Sequence, residues 1–394
     1  MKPIYENFPP RPAWIEIDLA RLRANLRLIR RQLPRTVKWL AVVKDDAYGH
    51  GALEVARLAL EAGAWGLGVG TLEEAMALRE AGLAAPILLF GERPEAELEW
   101  CVAHDLTVCV NGAHSLDALA RAAAGFERRA PVHVKINTGM SRYGVRWDEA
   151  APLFERILAE KSLRLEGVMT HFAQSDEADK TFANLQFDRF GEVLRALERA
   201  GVPVALRHCC NSGGLLDLPH AHLDLVRTGI LLHGIFPSAV CRRLPGLEPV
   251  MSIKARLAGL QTLKPGDVVG YGMRYQAAGP RRIAILPLGY GDGFPRVRNQ
   301  GCALIHGRRA PLVGGVAMDA FAVDVTEIPA ARMGDEAVLM GRQGDEEITA
   351  HDLAAVGNTV SYDLLTRWGL RLRRRGVNGE TRLAAELETA DRRH

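Results

Sequence analysis

Eight short apolar runs recur between residues 39 and 227, most of them separated by a helical pattern. This alternation constrains the fold more than any other feature of the chain. The runs are WLAVV (39–43), LGVG (67–70), PILLF (86–90), LTVCV (106–110), VHVKI (132–136), LEGVMT (165–170), VALRH (204–208) and DLVR (224–227). Runs this short, apolar on both faces, read as strands covered on both sides, which is the pattern of parallel β-structure flanked by helices. Residues 72–81 place Leu72, Ala75, Met76 and Arg79 on one helical face, with Gly82 as the stop; 115–124 and 148–160 read similarly. Eight βα units in about 200 residues predict a (β/α)8 TIM-type barrel. A doubly wound sheet is the alternative, but no G-x-G-x-x-G follows the first strand.

A further strand, WIEIDL (14–19), precedes the barrel. Asp18 then starts a helix with Leu22, Leu26, Ile29 and Leu33 on one face. Near residue 237 the texture changes. PSAVCRRLPGLEPV carries three prolines and reads as a linker. Beyond it strand patterns dominate (VMSIKARLAGL, RRIAILPLGY, CALIHG, AFAVDV, EAVLMG), with one helix near 350–356. The expected organisation is a barrel over 1–240, whose first 18 residues are free to pack with the second domain, and a mostly-β domain over 241–394. The run Arg371, Arg373, Arg374 and Arg375 reads as a solvated end.

The 394 residues are enough for two domains with sizeable cores. A net charge of +3 gives no reason to expect nucleic acid or a membrane as partner. The six cysteines form no C-x-x-C pair, so no metal site is expected, and their sparseness fits a cytoplasmic protein with free thiols. The N-terminus lacks the apolar segment of a signal peptide, and no apolar stretch is long enough to span a bilayer.

In barrels of this kind the reacting residues stand at the C-terminal ends of the strands, and a phosphate site often follows strands seven and eight. Lys44 closes the first run; the fifth ends near Lys135, with Asn137 and Arg142 following. His171 closes the sixth, His208, Asn211 and Ser212 end the seventh, and Arg227, Gly229 and Ile230 end the eighth. A strand-end lysine, a turn of small residues and an arginine suit pyridoxal phosphate. The lysine amine can form a Schiff base with the aldehyde, backbone N–H groups can hold the phosphate, and an arginine can face the ring nitrogen.

AVVKDDAYGHG (41–51) resembles the pyridoxal-lysine signature of the alanine racemases. AWIEIDLARLRANL (13–26), VHVKINTGMSRYGV (132–145), EGVMTHFAQSDE (166–177), HCCNSGGLLDLP (208–219) and DLVRTGILLHGIFPS (224–238) resemble other blocks of the family, in family order. In the second domain VVGYGMRY (268–275), PLGYGDGFPR (287–296), VGGVAMDAFAVDVT (313–326) and NTVSYDLLTR (358–367) are similar too. The resemblance implies a homodimer that interconverts L- and D-alanine, supplying D-alanine for peptidoglycan. It makes Lys44 the cofactor lysine and one base, and Tyr271 the second base, contributed across the dimer. Two bases make sense because a proton leaves one face of Cα and returns to the other. It places Arg227 at the ring nitrogen, His171 beneath the ring, and Tyr48, Asn211, Ser212, Gly229, Ile230 and Tyr362 around the phosphate. Arg142 and Met318 become substrate-carboxylate contacts, Tyr290 a gate residue and Lys135 a candidate N-carboxylysine.

Four positions depart from the family pattern: Asn137 for Asp, His233 for Tyr, Gly270 for Ser and Ala317 for Cys. Competing readings are a broader-specificity (serine) racemase, a barrel-type pyridoxal-dependent decarboxylase and a non-catalytic cofactor carrier. The decarboxylase's Glu-Pro-Gly-Arg motif is missing, and a carrier would need no β-domain.

Overall fold

The computed structural model describes residues 11–369 and 371–379. They form two compact units: Arg23–Glu248, and residues 11–22 together with those from Pro249 onward. The chain opens on β1 (Ala13–Asp18) and α1 (Leu19–Arg31). Asp18 caps the helix, its Oδ1 accepting the Arg21 N–H at 2.9 Å, and Leu22, Leu26 and Ile29 are fully buried.

The unit Arg23–Glu248 contains β2 (Lys38–Val42), β3 (Gly66–Val69), β4 (Ile87–Leu89), β5 (Thr107–Val110), β6 (Ala130–Asn137), β7 (Val145–Arg146), β8 (Leu163–Met169), β9 (Leu206–His208) and β10 (Leu225–Thr228). All pair in parallel: β7 lies on β6 off the main path, and the other eight run in the order β10-β2-β3-β4-β5-β6-β8-β9, each matching one of the eight apolar runs. The ring closes between β9 and β10, where Asp224 N–H donates to Arg207 O at 3.1 Å and Arg227 N–H to Cys210 O at 3.0 Å. Closure removes the exposed sheet edge. Leu40, Leu67, Ile87, Val110, Val134 and Val168 are wholly shielded from solvent. Each such side chain contributes about 1.5–3 kcal/mol relative to exposure. The expected helices lie at Leu72–Glu80, Ala113–Ala123 and Ala151–Ala159. A nineteen-residue helix, Thr181–Arg199, covers the gap before β9.

The second unit is built on β11 (Met251–Arg256), β12 (Gly259–Leu263), β13 (Val268–Val269), β14 (Tyr275–Gln276), β15 (Arg281–Leu286), β16 (Cys302–Ile305), β17 (Arg308–Val313), β18 (Phe321–Asp324), β19 (Glu336–Gln343), β20 (Glu346–Ile348) and β21 (Arg373–Val377). Its main sheet runs β12-β15-β18-β17-β16-β19-β11-β1-β21, with β20 on β19. Thus β1 is a strand of this sheet, antiparallel to β11 and parallel to β21. Two helices, Ala350–Val356 and Ser361–Thr366, complete the unit. The arginine run is solvated as expected, with Arg371, Arg373 and Arg375 exposed, and it is also part of the sheet. Arg373–Arg375 belong to β21, which pairs with β1, and Arg375 lies over the Trp14 ring at 5.1 Å. The polar tail after residue 379 lies outside the described residues.

Among the described residues no helix is long and apolar enough to cross a membrane, and no group of three or more His, Cys, Asp or Glu is placed to hold a metal.

Candidate active site

The rim of the barrel at the strand C-termini carries most of the candidate residues. Lys44 follows β2, and the next four residues share a rare backbone. Asp45, Asp46, Ala47 and Tyr48 all have left-handed φ, between 52° and 55°. Each non-glycine residue there costs about 1–2 kcal/mol, so surrounding bonds must hold the turn. Ala47 N–H donates to Val43 O at 2.9 Å and Gly49 N–H to Asp45 O at 3.0 Å. Asp46 Oδ1 accepts from Ala52 N–H at 2.7 Å, and Asp45 N–H donates to Glu74 Oε1 at 2.5 Å.

The turn lays Tyr48 against the loop after β10. A Cβ added at Gly229 would stand 2.2 Å from Tyr48 Oη, so glycine is what lets the ring approach this backbone. Burial, reinforced by Asp45 and Glu74, holds the Tyr48 phenol protonated well above its ordinary range. Ser212 Oγ accepts the Gly229 N–H at 3.1 Å, tying the end of β9 to the end of β10. Asn211 caps the helix Ser212–Asp217 by accepting from Gly214 N–H at 2.9 Å. Ile230 is buried in the turn that follows Gly229. Tyr48, Asn211, Ser212, Gly229 and Ile230 therefore converge on one small cup.

Arg227, on β10, is 3% exposed and has no carboxylate partner among the described residues. Its Nη1 lies 2.8 Å from His208 Nδ1; its Nη2 lies 3.0 Å from His171 Nδ1 and donates to Thr170 O at 2.9 Å and Cys209 O at 3.1 Å. Its Nε makes no hydrogen bond among the described residues. Behind His208 the chain of contacts continues to His133 at 2.8 Å and from His133 to Glu166 at 3.3 Å. Burial, then Arg227, depresses His208 far below the ordinary histidine value; burial, then Lys135 and Arg227, does the same to His171. Burial alone would raise Glu166, but His133 and Arg164 pull it down to about 2.

Lys135, half-buried on β6, is pulled down to about 7 by burial and by the nearby Arg227 and Arg142. Asn137, two residues on, accepts from Gly139 N–H and Ser141 N–H at 3.0 Å each and so folds the loop that carries Arg142. An aspartate here would do the same, so the departure keeps the loop and drops a charge. Arg142 is exposed and unpaired among the described residues. His233 stacks on His50 with ring centroids 3.8 Å apart, and both its ring nitrogens are buried without a partner among the described residues.

The β-rich unit carries Tyr271, Met318, Tyr290 and Tyr362. Tyr271 stands on the turn between β13 and β14 and is 82% exposed. Met318 is 51% exposed. Its loop is zipped to that of Tyr290: Tyr290 N–H donates to Ala317 O and Gly291 N–H to Met318 O, each at 3.0 Å. A Cβ at Gly289 would lie 2.1 Å from Ala317 O, so the backbones need glycine to approach. Arg371 pairs with Asp319 and, at 3.4 Å, with the buried Asp292, which Arg11 also holds at 2.7 Å. Tyr362 is half-buried on Ser361–Thr366.

The barrel unit thus gathers Lys44, Tyr48, Lys135, His171, Asn211, Ser212, Arg227, Gly229 and Ile230, while Tyr271, Met318 and Tyr362 are held by the other unit. Sequence reasoning gave no role to Glu74, His133, Glu166 or Arg371. Only Glu74 had a local signal, the T-x-x-E capping box Thr71–Glu74.

Two family descriptions match the chain: "Alanine racemase, N-terminal domain" over residues 17–237 and "Alanine racemase, C-terminal domain" over 250–376. The alanine racemase of Halothermothrix orenii is 41% identical over 356 residues, 90% of this chain and 94% of that one. The alanine racemase of Desulfovibrio desulfuricans is 40% identical, covering 92% and 98%. Among solved structures, the alanine racemase of the D-cycloserine producer Streptomyces lavendulae superposes with a TM-score of 0.88 at 38% identity, covering 94% of this chain and 98% of that one. That of Bacillus anthracis, with bound L-Ala-P, also gives 0.88, at 33% identity and 94% and 96% coverage. This chain belongs to the alanine racemases, a family of pyridoxal-phosphate-dependent isomerases.

Proposed function

We propose that this protein interconverts L- and D-alanine with pyridoxal phosphate as cofactor, Lys44 and Tyr271 serving as the two bases. The observation that carries the reading is Arg227. A guanidinium buried in a barrel mouth, with neutral partners only and Nε uncommitted, suits a neutral acceptor such as a pyridine nitrogen. The cup of Tyr48, Ser212, Asn211, Gly229 and Ile230 suits a phosphate, and Lys44 suits an aldehyde. The donor set therefore fits the cofactor.

Pyridoxal phosphate, when bound, supplies a conjugated ring that spreads the negative charge left when the substrate Cα–H is lost. Arg227 would donate a hydrogen bond to the ring nitrogen while keeping its own proton. His171 is kept neutral by burial and by the cations beside it, and adds no further charge beneath the ring. Lys44 moves the proton on one face of Cα and Tyr271 on the other. Arg142, exposed at the rim of the barrel, suits the substrate carboxylate, and the resemblance gives Met318 and Tyr362 of the other unit to substrate and cofactor binding.

The exposure of Tyr271 supports a homodimer with shared sites: a phenol 82% exposed in one chain excludes no water from its reaction, and a second copy covering it would. Lys135 is proposed to carry CO2 as a carbamate, since an amine pulled down to about 7 is largely neutral and nucleophilic at cellular pH. The six free thiols suit a cytoplasmic setting, where the D-alanine formed would enter peptidoglycan.

The test is D-alanine formation from L-alanine by purified protein with pyridoxal phosphate, beside Lys44→Ala. Product from the wild type alone is expected. No product from either, with a visible cofactor band lost in the variant, would keep the cofactor and overturn the substrate.

A further inference from the structure

The four left-handed residues after Lys44 raise the question of what holds them. Bonds within residues 43–52 close the turn on itself but do not fix where it stands relative to the barrel. Val43 N–H donates to Gly68 O at 2.9 Å at the start of the turn, and a side chain from outside ties the first left-handed residue to the barrel. The Glu74 carboxylate accepts from Asp45 N–H at 2.5 Å through Oε1, and from Gly70 N–H at 2.7 Å and Thr71 N–H at 3.3 Å through Oε2. It therefore joins the end of β2 to the end of β3. Gly70 borders the lysine: a Cβ there would lie 3.8 Å from Lys44 Cβ.

We propose that Glu74 is a positioning residue for Lys44, clasping the left-handed turn so that the amine is held at one place over the barrel mouth. The inference rests on Lys44 being the cofactor lysine. Three features fit a clasp better than a helix cap alone. The capping box needs only the bond to Thr71, whereas the shorter bonds go to Asp45 and Gly70. A carboxylate accepts strongly at both oxygens, and both donors are backbone N–H groups with no competing acceptor in the ladder. The residue clasped, Asp45, is the first of the strained run, so Glu74 fixes the point at which β2 turns left-handed. A reacting group displaced by about 1 Å can lose a hundredfold in rate, so a clasp one residue from the amine is placed to matter.

Glu74→Gln separates the two roles. Glutamine offers one acceptor oxygen, and its NH2 must then face an N–H of Asp45 or Gly70. Thr71→Ala is the control: it removes the hydroxyl that accepts the Glu74 N–H but leaves the carboxylate and its backbone donors. Both variants, wild type and Lys44→Ala are compared as cofactor-loaded proteins. Three readouts are taken: thermal midpoint, exchange of bound for added pyridoxal phosphate, and kcat and KM for alanine. In Glu74→Gln we expect exchange about tenfold faster and kcat about tenfold lower at an unchanged KM, on the scale set by small misplacements. In Thr71→Ala we expect only a lower midpoint. Glu74→Gln that shifts the midpoint as Thr71→Ala does, with exchange and kcat unmoved, overturns the clasp. A visible cofactor band that survives Lys44→Ala overturns instead the reading of Lys44 on which the clasp depends.

Discussion

Arg227 Nη1 donates to His208 Nδ1 at 2.8 Å, and this bond fixes the protons behind it. Arginine can only donate, so His208 Nδ1 accepts and Nε2 carries the hydrogen. That hydrogen goes to His133 Nδ1 at 2.8 Å, which leaves His133 Nε2–H to donate to Glu166 Oε2 at 3.3 Å. The wire has one polarity, from a buried cation to a carboxylate. In His208→Phe the guanidinium loses an acceptor in a buried site, a cost of about 1–3 kcal/mol. Urea unfolding should show that loss, and kcat should fall more than tenfold as Arg227 loses its aim.

The acid side of the stability curve should report the far end of the wire. Glu166 is held at about 2, below its ordinary value, chiefly by His133 against the opposing effect of burial. A depressed carboxylate stabilises the fold above its unfolded pKa of about 4.3, and that contribution fades as pH falls toward the folded value. Glu166→Gln should therefore unfold more readily near neutral pH and flatten the fall in stability between pH 4 and 2. Parallel curves for variant and wild type would contradict the wire.

Gly229→Ala should empty the cup. The new methyl would stand 2.2 Å from Tyr48 Oη and 2.8 Å from Cζ, so the ring must leave or the loop must shift. Cofactor affinity measured by absorbance titration should drop at least tenfold. Adding Tyr48→Phe removes the closer clash but keeps the farther one, so recovery should be partial.

Lys135 should titrate near 7 and react with CO2 in its neutral form. Carbon-13 labelled bicarbonate should give a carbamate resonance that disappears in Lys135→Met. Without CO2, the depressed amine works against folding below about pH 7, and the penalty fades as pH rises toward the unfolded value of about 10.4. Lys135→Met should accordingly be more stable than CO2-free wild type at pH 6, with the gap closing at higher pH.

Tyr271→Phe should lower racemisation about a hundredfold or more, the range of a lost general base. Solvent deuterium should still enter Cα from D-alanine, through Lys44, but not from L-alanine. Equal exchange from both enantiomers would exclude a two-base assignment that includes Tyr271.

The barrel was legible because its signal is local. Each run from WLAVV to DLVR is apolar over the length of one buried strand, and burial on both faces leaves that mark wherever the partner strands lie. Lys44, His171 and Arg227 were placed by the same count, since strand ends define the rim. The strand within the exposed arginine run was illegible for the opposite reason. Charged residues on an edge strand look like a solvated tail until β1 is seen beside them, some 360 residues earlier in the chain. The four left-handed residues were also invisible, because Asp-Asp-Ala-Tyr has no glycine to announce positive φ.

The sequence by itself determined the eight strands of the barrel ring, the lysine that follows the first of them and the small residues of the cup, because hydrophobic period and steric need are written residue by residue. Tertiary structure alone decided that β1 joins the second unit's sheet, that Glu74 reaches Asp45 across 29 residues, and that His208 and His133 link Arg227 to Glu166. Those are pairings between distant positions. They come into being when the eight strands close into a ring and the two edges of β1 find β11 and β21, and no local pattern carries the register of that closure.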